Sequence, residues 1–152
     1  MNKTEKKALF LITILLDIII LILWSNFNKE FSSCDKLFIY FVLIAHFFFY
    51  ISLYFEHRPT LDILHVLIVI SCLMGFIVKH KYLLSFILVF LICLQIQWLS
   101  INKCILNTDE QNHKSNFGYG KITSILTLLY TCYISLKIGK VNSKKIIEKE
   151  IK

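Results

Sequence analysis

The chain has 152 residues, of which 57% are hydrophobic and 18% charged, and its mean hydropathy is +0.66. A soluble domain is usually about 45–50% apolar and about 25% charged, so this balance argues against a water-facing globule and for helices set in lipid. The net charge is +7, and sixteen of the seventeen basic residues are lysines, placed at the ends of the apolar runs, in their connections and in the tail. That placement suits membrane flanks and excludes nucleic acid as the expected partner.

The elements follow in chain order. A basic lead, Met1 to Lys7, precedes an apolar run over 8–27, which at about 1.5 Å per residue matches a hydrocarbon layer of about 30 Å. The run is too long for a signal peptide, and no small-x-small cleavage site follows it, so it reads as an uncleaved first span. A polar loop over 28–36 leads to a second span over 37–55. This span is rich in aromatics: Phe47-Phe48-Phe49-Tyr50 is ordinary for a lipid-facing helix, and Tyr40 and Tyr54 toward its ends fit an interfacial belt. The break Glu56-His57-Arg58-Pro59-Thr60 holds the only arginine and the only proline. A third span is predicted over 61–78. The turn Lys79-His80-Lys81 is so short that the third and fourth helices are expected to be antiparallel neighbours. The fourth span covers 82–101 and ends in Gln95, Gln97 and the belt residue Trp98.

The longest polar connection, 102–120, contains no recognisable subdomain. A shorter apolar run follows, diluted by Thr123, Ser124, Thr127, Thr131 and Ser135 and flanked by Lys121 and Lys137. The expected fold class is therefore all-α, a polytopic transmembrane bundle of four clear spans plus a shorter fifth helix over 121–138. Residues 1–139 form one transmembrane domain, and 140–152 form a lysine-rich polar tail in which Lys144 and Glu148 stand at helical i,i+4 spacing. If the fifth run crosses, the basic residues divide seven to ten between the two faces; if it does not, they divide thirteen to four. The second division, with the N-terminus cytosolic, satisfies the positive-inside rule better.

Five cysteines are present, none in C-x-x-C spacing, so neither a zinc ribbon nor a thioredoxin-type site is expected. No nucleotide-binding, metalloprotease or nucleophile-elbow fingerprint occurs, and no cofactor or metal is expected. Ionisable groups inside the spans are costly and stand out for that reason. Asp17 and His46 each lie nine residues from the same face, about 13 Å deep, so they can meet as a hydrogen-bonded pair. Asp62 and His65, at i,i+3, lie nearer that face with Gln95 and Gln97. These six residues define an intramembrane polar cluster confined to one half of the layer.

The reading that follows is a small multi-pass membrane protein with a structural, assembly or interaction role. Its partners are the lipid bilayer and other membrane proteins or copies of itself, with no nucleic acid. Two alternatives use the same cluster. One is an ion or proton carrier through Asp17 and His46; the other is a membrane-embedded enzyme using His46, His65 and Asp62.

Overall fold

The computed structural model describes residues 3–55, 58–101 and 121–150, with side chains described over 6–55, 66–96 and 125–143. Among the described residues 91% are α-helical and none is in a strand. The helices are α1 (Lys3–Phe27), α2 (Ser33–Phe55), α3 (Arg58–Leu73), α4 (Lys81–Ile101) and α5 (Lys121–Glu150), with one 3-10 turn at Met74–Phe76.

The helix ends differ from the sequence expectation, and local chemistry explains why. Hydropathy marks where lipid-compatible residues begin, whereas a helix begins where its backbone is capped. Helix α1 therefore starts in the basic lead, which contains neither glycine nor proline. Helix α2 starts at Ser33 rather than at 37 because Ser32 and Asp35 form a capping box. The Asp35 N–H donates to Ser32 Oγ at 3.3 Å, while Asp35 Oδ2 accepts from the Ser32 N–H at 2.9 Å and from its hydroxyl at 2.6 Å.

The third run ends early. Helix α3 stops at Leu73, and the rest of the expected span, Met74 to Val78, is a 3-10 turn and the start of the connection. The cause lies in α5. Gly75 is buried, and a Cβ there would run into the Tyr130 hydroxyl, with Ile134 Cδ1 at 3.0 Å and Ile87 Cδ1 at 3.4 Å. Helix ends leave carbonyls without intrahelical partners. Here the Tyr130 hydroxyl donates to the Cys72 carbonyl at 2.5 Å, and Lys137 Nζ donates to the carbonyls of Gly75 (2.9 Å) and Phe76 (2.7 Å). A cation at this position also complements the negative end of the helix dipole.

Helix packing corrects one expectation. The neighbour predicted for α4 is α3, but α4 packs chiefly along α5, and α3 lies against α2, which also carries α1. The α4–α5 pair is antiparallel. Gln95 meets Thr131, while Ile134, further along α5, joins Leu83, Leu84 and Ile87 near the start of α4 in the core. Helix α5 continues unbroken to Glu150, through the boundary at 140 where hydropathy ends. Gly139 does not stop it; Ser143 Oγ bonds the Gly139 carbonyl within the helix at 3.1 Å.

The main core joins Ile20, Phe38, Ile39, Val42, Val78, Leu83, Leu84, Ile87, Leu91 and Ile134. A smaller cluster, Leu9, Phe49 and Leu53 with Leu67, lies toward the start of α1. Outside these cores the helices turn apolar side chains outward: Leu11, Leu15, Ile22, Ile44, Phe47, Val89, Leu126 and Leu129 are all more than half exposed. Two helical stretches, Lys6–Phe27 and Ser33–Phe55, are long and apolar enough to cross a membrane, and Val66–Phe76 and Lys81–Ile96 are shorter apolar helices.

Candidate functional site

Asp17 sits on α1 between the two apolar clusters, with Leu9 on one side and Ile20 on the other. Opposite it, α2 presents His46 and Tyr50, four residues apart and therefore on one helical face. His46 Nδ1 lies 2.5 Å from Asp17 Oδ1, and the Tyr50 hydroxyl donates to Asp17 Oδ2 at 2.6 Å. Each carboxylate oxygen thus has a partner on the facing helix. The Asp17 and His46 side chains are 18% and 15% exposed, so the pair is largely shielded by its helices. The Phe10 ring meets Tyr50 edge-on at 5.3 Å and closes the site toward the start of α1. One turn before Asp17, the Thr13 hydroxyl bonds the Leu9 carbonyl at 2.9 Å and adds no free polar group to the apolar layer.

The Asp17–His46 contact needs a proton between the two groups, carried on Nδ1 or on the carboxyl. With His46 neutral and its hydrogen on Nδ1, Nε2 is left as an acceptor. The arrangement can hold two helices together, and it can also hold a proton. No group of three or more histidine, cysteine or acidic side chains that could hold a metal ion occurs among the described residues.

The six residues singled out from sequence do not all come together in the described part of the chain. Asp17 and His46 do. Gln95 instead donates from Nε2 to Thr131 Oγ1 of α5 at 2.9 Å, and that hydroxyl donates to the Thr127 carbonyl at 2.8 Å. Gln95 therefore belongs to the α4–α5 seam. The side chains of Asp62, His65 and Gln97 lie outside the described residues, so the enzyme alternative draws no geometry from them.

Tyr50 is a member of the site that sequence reasoning passes over as one more lipid-facing aromatic. Its spacing from His46 is the signal that identifies it. A second polar centre, at the opposite end of α1 and α2, also escapes notice. Asp35 is 1% exposed, and besides its bonds to Ser32 it accepts the backbone N–H groups of Lys79 (2.8 Å) and His80 (3.1 Å) on Oδ1. One carboxylate thus ties the α1–α2 loop to the connection between α3 and α4. The His80 ring is buried beside it against Phe27, Phe31 and Tyr82, at centroid distances of 5.4, 4.7 and 5.6 Å, with Nε2 3.7 Å from Glu30 Oε2. The cysteines Cys34, Cys72, Cys93 and Cys132 are free thiols.

Fold and site together define an all-helical protein with two membrane-length apolar helices joined by a polar triad. No family model matches the chain, and neither the curated proteins nor the solved structures contain a match to it.

Proposed function

We propose that this chain is a small multi-pass integral membrane protein with a structural or assembly role, in which the polar triad serves to pair helices. The observation that carries this reading is the contrast on α1. One side of the helix carries exposed apolar side chains from Phe10 to Ile22, while its one ionisable group between Lys7 and the helix end, Asp17, turns inward and is satisfied through both oxygens by α2. An isolated aspartate at the centre of a membrane helix costs about 2.5–3.5 kcal/mol on insertion scales, so a built-in partner is the expected remedy. Helices α3, α4 and α5 complete the bundle, with α5 crossing alongside α4. Extraction of membranes at alkaline pH tests the reading: the chain stays in the membrane pellet. Release into the supernatant would sink the proposal.

A carrier of protons is the second reading. It is favoured by one observation: Asp17 is bonded to an imidazole, a group that can both give and take a proton. Purified protein in sealed vesicles under a pH gradient distinguishes the two. A proton flux abolished by Asp17→Asn in a chain that still folds supports the carrier; no flux above protein-free vesicles leaves the structural role.

A further inference from the structure

At the end formed by the α1–α2 loop, the connection between α3 and α4, and the later part of α5, the described side chains include Lys29, Lys36, Lys79, Lys81, Lys137 and Lys140. The acids at the lysine end do not cancel the excess. Asp35 is buried and committed to backbone amides, and Glu30 lies against His80.

Just inside the lysines runs a collar of amphipathic aromatics. Trp24 packs on Tyr40 at 5.4 Å, Lys81 Nζ lies 4.7 Å from the centre of the Tyr82 ring, and Tyr133 packs on Phe76 at 4.9 Å. Tyr40, Tyr82 and Tyr133 are 53%, 40% and 40% exposed. Tyrosine and tryptophan gather where hydrocarbon gives way to headgroups, and lysines just beyond them reach the phosphate level. Below the collar, exposed Ile44, Phe47, Val89 and Leu129 continue the apolar surface.

We propose that this lysine collar is an interaction surface for anionic phospholipid headgroups. The inference rests on the membrane reading above and adds to it the chemistry of the leaflet that this end contacts.

The test uses the full chain reconstituted in phosphatidylcholine–phosphatidylglycerol vesicles, with bromine on one lipid or the other. The chain has two tryptophans, so Trp98→Phe leaves Trp24 at the collar as the only reporter. Quenching of Trp24 by brominated phosphatidylglycerol should exceed quenching by brominated phosphatidylcholine at equal mole fraction by about twofold, and high salt should reduce the excess. Replacing the exposed lysines together (Lys29→Gln, Lys79→Gln, Lys140→Gln) should remove the preference and leave total quenching unchanged. That second readout shows the chain still inserted.

Equal quenching by the two lipids would overturn the inference while leaving the membrane reading intact. So would loss of the preference to inorganic phosphate but not to chloride of the same ionic strength, which would mark a site for free phosphate. Absence of quenching by either lipid would overturn the membrane reading and the inference with it.

Discussion

Asp17 and Asp35 are both carboxylates lodged among apolar helices, and they are satisfied in opposite ways. Asp17 bonds two side chains of one neighbouring helix, whereas Asp35 bonds backbone N–H groups from its own helix start and from the distant residues Lys79 and His80. Side-chain partners can rearrange or exchange a proton. Backbone amides are fixed by the fold and only donate. The first centre is therefore suited to pairing helices or handling a proton, and the second to fixing a chain connection. Asp35 also has more donors to lose: the Ser32 N–H and hydroxyl and the N–H groups of Lys79 and His80, against one imidazole and one phenol at Asp17.

The comparison can be broken by substitution, from the largest effect to the smallest. Asp35→Ala strands two backbone amides of the connection and the Ser32 cap. Buried donors left without acceptors cost about 1–3 kcal/mol each, so thermal denaturation in detergent should show a loss of about 3 kcal/mol or more. A loss smaller than that caused by Asp17→Ala would reverse the ranking of the two centres. Gly75→Ala comes next. It forces the new methyl against the Tyr130 hydroxyl and should cost about 1–3 kcal/mol, as overpacking does. Combining it with Tyr130→Phe should recover part of that loss; if the double variant is no better than the single, the crowding is not at the hydroxyl.

Asp17→Ala and His46→Ala come third, and a double-mutant cycle between them should return a coupling of about 0.6–1.7 kcal/mol, the range found for polar pairs between membrane helices. A coupling near zero would mean that the short contact does not hold α1 to α2. Gln95→Ala should have the smallest effect, about 0.6 kcal/mol, and Thr131→Ala should add little to it, since the two share one bond across the α4–α5 seam.

How much of this was legible in the sequence depends on the range of the interaction. The helical class and the apolar surface follow from composition. The meeting of Asp17 and His46 follows from depth counting, because α1 starts at the face where α2 ends and the two rise at the same rate. Tyr50 is readable from its spacing to His46 but was masked by the Phe47-Phe48-Phe49 run beside it. Asp35 is half legible. Its Ser32-x-x-Asp35 spacing signals a helix start, yet nothing local shows that Lys79 and His80 will bond the same carboxylate from 44 and 45 positions away. The early end of α3 was not legible. Met74-Gly75-Phe76 reads as continuous apolar sequence, and only the approach of Tyr130 and Lys137 makes it a turn. The extension of α5 was half legible: the Lys144–Glu148 spacing is helical, but hydropathy, which reports lipid, sets a boundary at 140 that the backbone of Lys121–Glu150 does not have.

The hook of Lys137 on the end of α3 has a consequence for biogenesis. Its acceptors, the carbonyls of Gly75 and Phe76, precede the lysine by 62 and 61 positions. A ribosome makes about 5–20 residues per second, so the third helix waits several seconds for its final cap. During that interval its open end is exposed to quality control. Truncations before Lys137 should therefore shorten the lifetime of the chain in cells far more than removal of the residues after Val141, although both delete only the end of one helix.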